Sequence, residues 1–142
     1  MSNVIQLLGW IMAAGVLAAV STFFLKQIGR EYVKKLPSKY AGFADSYRNF
    51  MKFMVRNHRY FGFASLSILP VHAFLVISQS VLSLTGLVAG FALLAAAIAG
   101  IYGVYFKKVI RSGWLPVHRA FGLVLFLAAL VHIVFKGYFF LE

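Results

Sequence analysis

The sequence predicts an all-α membrane protein: four transmembrane helices in an up-down bundle, with an amphipathic interfacial helix between helices one and two. Three observations carry this. First, the 142 residues are 62% hydrophobic and only 12% charged, about half the charged share of an ordinary soluble domain. That leaves too little polar surface to wrap a globule in water. Second, Val4 to Leu25 is a charge-free run of 22 residues and Tyr60 to Phe106 another of 47. One span needs roughly 20 apolar residues, so the longer run holds two spans and a turn. Third, the net charge of +11 is gathered in two places. Nine of the fourteen Lys and Arg lie between Lys26 and Arg59, and four more between Lys107 and Arg119. In an up-down bundle both clusters fall on one side.

The elements follow in order. The first span covers 4–25. Its N-terminus, MSNVIQLLGW, has no basic residue, unlike a secretory signal, so the run is expected to remain as helix one. The connector from Lys26 to Asn57 contains PSKYAGFADSYRNFMKFMVRN. There Tyr40, Phe43, Tyr47, Phe50 and Met54 recur at three- and four-residue steps, with Lys39, Arg48, Lys52 and Arg56 mostly opposite. This predicts a helix over about 38–56, lying at the membrane surface with its rings in the headgroup layer. It serves either as a topology anchor or as a docking face for an acidic partner. The second span is 59–78, with Pro70 expected to kink it. Gln79, Ser80, Ser83, Thr85 and Gly86 mark the turn into the third span, 83–106, where Gly86, Gly90, Gly100 and Gly103 read as packing surface. The fourth span is 116–138, with Lys136 near its far end. The whole chain, 1–142, reads as a single membrane domain.

Basic loops face the cytoplasm by the positive-inside rule, so both termini are expected outside. A bacterial inner membrane is the expected location. Anionic membrane lipids account for the basic clusters, and nucleic acid is excluded as a partner. There is no cysteine, which excludes disulfides, thiolate catalysis and cysteine-ligated clusters.

All four histidines sit in two similar stretches: HRYFGFASLSILPVH, from His58 to His72, and HRAFGLVLFLAALVH, from His118 to His132. At an offset of sixty, His58, Arg59, Phe61, Gly62, Val71 and His72 match His118, Arg119, Phe121, Gly122, Val131 and His132. A weaker echo joins helix one from Gly9 to helix three from Gly90, at an offset of 81. A duplicated helical hairpin, with an insertion in the first copy, would produce both.

The histidine spacing carries chemistry. Each pair is 14 residues apart, which returns to within about 40° on an ideal helix and rises about 21 Å. Both members of a pair therefore share a face. Helices two and four run the same way, so His58 is placed opposite His118 near the inner surface and His72 opposite His132 nearer the outer one. A bare metal ion wants more ligands, and the only acids, Glu31, Asp45 and Glu142, lie outside the spans. A haem brings four nitrogens and needs two axial ligands. Two levels predict two haem b groups, an inner one on His58/His118 and an outer one on His72/His132. Gly62 and Gly122 lie one turn after the inner histidines on the same face, where a missing side chain would admit the macrocycle. Arg59 and Arg119 could pair with haem propionates. Small residues also serve plain helix packing, and arginines at a span's end also serve as anchors, so these four positions have a structural alternative. The histidines have a weaker one, because an ionisable residue inside a span is costly.

Two histidine pairs about 14 apart on parallel helices of a four-helix core resemble the di-haem b-type membrane cytochromes. The repeated H-R-x-F-G start is most similar to the transmembrane domain of ferric reductases and NADPH oxidases. The same spacing logic occurs in the cytochrome b of quinol-oxidising bc complexes. The resemblance covers helices two and four, and the others by topology only. It implies transmembrane electron transfer with His58, His72, His118 and His132 as axial ligands. No flavin or nicotinamide domain accompanies the four spans, so the donor is expected to be a redox partner subunit (flavoprotein, iron-sulfur protein or cytochrome) or a quinol. Two other readings stay open: a stand-alone small quinone, superoxide or ferric reductase, for which Gln79, Ser80 and Tyr138 offer weak site candidates, and a haem-free membrane anchor or assembly protein.

Overall fold

The computed structural model describes residues 3–79, 83–110 (107–110 without side chains) and 113–135. Among these, four helices carry the fold: α1 (Asn3–Glu31), α2 (Ala41–Gln79), α3 (Leu84–Ile110) and α4 (Trp114–Phe135). All four are long and apolar enough to cross a membrane. The expected contributions of Ser80, Lys136 and Tyr138 lie outside the described residues.

Each boundary has a local cause. After α1 a 3-10 turn, Val33–Lys35, leads to Leu36 in an extended conformation (φ −66°, ψ 139°). Pro37 crowds the residue before it out of helical geometry. A second 3-10 turn, Ser38–Tyr40, then feeds α2. Ser83 caps α3, its Oγ accepting from the Gly86 amide at 3.1 Å and its carbonyl from Leu87 at 3.1 Å. Pro116 falls in the first turn of α4, where its missing N–H costs nothing.

The helices form a ring in the order α1, α2, α3, α4. Each packs on its two neighbours, and no Cα of α2 comes within 8 Å of one in α4, nor of α1 in α3. The α1–α2 and α3–α4 packings are extensive and the other two slight, so the fold is two helical hairpins set face to face. A small central core joins them: Val16, Ala92, Leu93, Ala96 and Leu125, with Met12, Val20, Leu66 and Leu69 against it.

The hairpins close in through small residues. A Cβ on Gly15 would collide with Ser65 Oγ and come 3.1 Å from the Phe61 carbonyl. Ser65 is 1% exposed, and its hydroxyl reaches the Met12 carbonyl across the crossing at 3.2 Å. The outward faces are oily on every helix. Phe74 is 69% exposed and Phe91 67%, far beyond what a water-soluble surface usually presents as a continuous belt.

Two sequence expectations change. The amphipathic stretch 38–56 is not a separate helix. Ser38–Tyr40 is a 3-10 turn and the rest is the first half of α2, which runs 39 residues without a break, about 58 Å. Two causes are visible. No proline lies between Ala41 and His58, and Ala44, Tyr47 and Met51 pack inward at helical spacing, with Tyr47 Oη donating to the Leu25 carbonyl at 2.7 Å. Pro70 sits inside α2 without ending it.

The echo between helices one and three also shifts by one turn. Ala19 and Ala96 do the same job at the inner level, and Gly9 and Gly86 at the outer one, as described below. Both pairs give 96 − 19 = 86 − 9 = 77, not 81. Apolar helices match about equally well one turn apart, so sequence similarity alone chose the wrong register.

Candidate functional site

The four histidines occupy the space between the diagonal helices α2 and α4. His58, Gly62, Ser65, Leu69 and His72 follow one inward stripe of α2, and His118, Gly122, Leu125 and His132 the matching stripe of α4. Three- and four-residue steps keep each set on one face.

At the inner level the His58 and His118 rings meet across the gap. Their centroids are 5.9 Å apart and their planes nearly perpendicular, at 87°. Each ring is held from behind by its own hairpin partner. His58 Nδ1 lies 3.0 Å from the Ala19 carbonyl of α1, and His118 Nδ1 lies 3.0 Å from the Ala96 carbonyl of α3. A carbonyl can only accept, so each Nδ1 must carry the proton. The lone pair of each neutral ring is thereby assigned to Nε2, which has no protein hydrogen bond in either residue among the described residues. This is how a protein fixes the tautomer of a metal-binding histidine. Thr22 Oγ1 adds a longer contact to His58 Nδ1 at 3.4 Å, and Gly100 leaves room for His118, whose Cε1 would be 3.1 Å from a Cβ there.

At the outer level His72 and His132 line a half-open cavity of about 300 Å³ to which all four helices contribute. Gly9 of α1 lies against His72 and Gly86 of α3 against His132, where added Cβ atoms would come 3.4 Å and 3.1 Å from the respective Cε1 atoms. The supports differ here. His132 Nδ1 is reached by Thr85 Oγ1 at 3.1 Å and Ser83 Oγ at 3.4 Å. His72 Nδ1 is buried and makes no full hydrogen bond, with a weaker contact to the Ile5 backbone of α1. The 77-residue equivalence explains the difference: positions matching Ser83 and Thr85 in α1 are Gln6 and Leu8.

The glycines and arginines expected at the inner level are also located. A Cβ on Gly62 or Gly122 would meet nothing within 4 Å, so neither residue packs a helix closely. Arg59 turns back on its neighbour, with Nη2 donating to Tyr60 Oη at 2.9 Å. Arg119 lies over the Phe23 ring of α1 at 5.6 Å. Neither has a carboxylate partner among the described residues; the acids there, Glu31 and Asp45, pair with Arg30, Lys35 and Arg48.

No cluster of three or more His, Cys, Asp or Glu among the described residues could hold a bare metal ion. What the inner level offers is two neighbouring imidazoles, each with its Nε2 left over by the backbone support at Nδ1. Two imidazoles on opposite sides of one metal, each bonded at about 2 Å, have ring centres roughly 6 Å apart, close to the separation found. The arrangement suits a metal that brings its remaining ligands with it. No protein-family model, no curated protein and no solved structure matches this chain.

Proposed function

We propose that this chain is a di-haem b-type cytochrome of a membrane, carrying electrons between its two faces as the membrane subunit of a larger redox complex. The observation that carries the reading is the inner pair: two backbone carbonyls hold two Nδ1–H groups, which leaves Nε2 as the ligand nitrogen on each of two rings 5.9 Å apart.

Bound haem would supply the one-electron chemistry; the chain's own groups do the rest. His58 and His118 would hold the inner haem, His72 and His132 the outer. Ala19 and Ala96, through their carbonyls, orient the inner rings and raise their basicity. Gly62 and Gly122 leave open the space a flat macrocycle would fill. Arg59 and Arg119 stand next to the inner histidines at the basic end, with no competing carboxylate, as partners for propionates. Val16, Leu93 and Leu125 exclude water between the two levels, which keeps the local dielectric low. The basic end is assigned to the cytoplasm and both termini to the outside, in a bacterial inner membrane. A flavoprotein, iron-sulfur protein, cytochrome or quinone serves as the redox partner.

The test is a dithionite-reduced minus air-oxidised visible spectrum of purified protein, with haem measured per chain. A b-type spectrum with two haems per chain is expected. Colourless protein from cells supplied with haem would sink the reading and favour a haem-free anchor. Rapid turnover of a quinol with ferric iron or dioxygen by the chain alone would favour a self-contained reductase.

A further inference from the structure

A second cavity, with no histidine in its lining, lies where the end of α1 crosses the first half of α2. It measures about 340 Å³. Lys26, Arg30, Lys34 and Arg48 form its rim, and Val33 and Met51 are among its apolar lining. Tyr47 also lines it, with its hydroxyl already committed to the Leu25 carbonyl.

Its charge is not cancelled locally. Arg30 is paired with Glu31 and Arg48 with Asp45, but no carboxylate lies within 4 Å of Lys26 or Lys34 among the described residues. Four cations less two carboxylates leave a surplus of two. Its depth is set by the chain. Lys26 ends the charge-free run that begins at Val4, and those 22 residues of helix span about 33 Å, one hydrocarbon thickness. On the membrane reading above, on which this inference rests, the cavity therefore opens in the headgroup layer. Tyr32 and Tyr40, exposed by 70% and 46%, belong to the segment that joins α1 to α2, and tyrosine rings are enriched at that depth.

We propose that this cavity is a binding site for the phosphate headgroup of an anionic phospholipid, with Lys26 and Lys34 as its free cations. The apolar lining takes the glycerol and upper acyl carbons, and the rim takes the phosphate. A soluble phosphate ion would use only the rim.

The experiment is native mass spectrometry of the detergent-purified protein, titrated with phosphatidylglycerol, phosphatidylcholine or inorganic phosphate. One phosphatidylglycerol should be retained in preference to phosphatidylcholine. The double variant Lys26→Gln/Lys34→Gln should weaken it by about thirtyfold, from roughly fivefold per cation at a membrane surface. The variant Lys39→Gln/Lys52→Gln removes the same charge elsewhere on the basic segment and should change retention less than twofold. Equal loss in both variants would show diffuse attraction and overturn the site. Saturation by inorganic phosphate that displaces the lipid would overturn the lipid assignment. Haem content, read on the same samples of the unsubstituted protein, tests the cytochrome reading by itself, so its failure is seen separately.

Discussion

On the proposed di-haem reading, replacing Thr85 by valine should loosen the outer cofactor while sparing the inner one. Valine keeps the branched shape and removes only the hydroxyl that lies 3.1 Å from His132 Nδ1. Ser83 cannot fully substitute. Its Oγ stands at 3.4 Å and already accepts from the Gly86 amide that caps α3. Loss of a partner behind a metal-bound histidine typically costs about 10–100-fold in affinity, or about 1.4–2.7 kcal/mol. An ordinary neutral hydrogen bond contributes about 0.5–1.5 kcal/mol. With Ser83 still in reach, the lower end applies, so the outer haem should leave about tenfold faster. The inner haem, held through His rings that rest on the main chain at Ala19 and Ala96, should change less than about twofold. The assay mixes detergent-solubilised protein with an excess of a haem-scavenging apoprotein and follows the visible spectrum. Wild type and Thr85→Val should share one slow phase and differ in the other. Equal acceleration of both phases, or none, would refute the claim that Thr85 supports only the outer ligand.

Other outcomes follow from the same geometry. His58→Ala or His118→Ala should each halve the haem per chain, because one axial ligand alone cannot hold the inner group; a full complement by pyridine haemochrome assay would argue against the pairing. Gly62→Leu and Gly122→Leu should fold with an unchanged helical circular-dichroism melt yet lose the inner haem, since the added side chain enters open space. If these glycines were helix-packing residues, the melt would fall instead. Gly15→Val should overpack the crossing with Ser65 and Phe61 and cost about 1–3 kcal/mol, seen as an earlier midpoint in denaturant-titrated micelles; an unchanged midpoint would contradict the close approach. Electron entry from an acidic redox partner should slow between 0.1 M and 1 M salt, as the screening length falls from about 10 Å to 3 Å; a flat rate would remove the basic face from the docking step.

The helices were legible because charge is so scarce: the run ending at Leu25 and the one ending at Phe106 bracket three spans without ambiguity. The histidine levels were legible because 14 residues is close to four turns. The supports behind the rings were not. Ala19 and Ala96 act through their carbonyls, which every residue possesses, so no residue type signals the role. Ser83 and Thr85 did carry a signal, two hydroxyls at the level of His132, but in sequence they read equally well as turn formers. The amphipathic stretch misled in a different way. Its aromatic face straddles two environments: Tyr47 turns toward α1 and Met54 is half-buried, while Tyr40, Phe43 and Phe50 remain exposed. A helical period reports that residues share a side, not whether that side meets protein or solvent.

The length of α2 gives the inner site a mechanical character. From Ala41 to His58 it is one uninterrupted rod, gripped near its base by Tyr47 and stiffened along its side by α1. A torque or pull applied to that stalk reaches the His58 imidazole with no joint to absorb it. The outer histidine is insulated: Pro70 lies between His58 and His72, and its missing N–H removes one strut from the helical ladder. The basic stalk and the inner ring thus belong to one stiff helical segment, and Pro70 separates that segment from the outer ring.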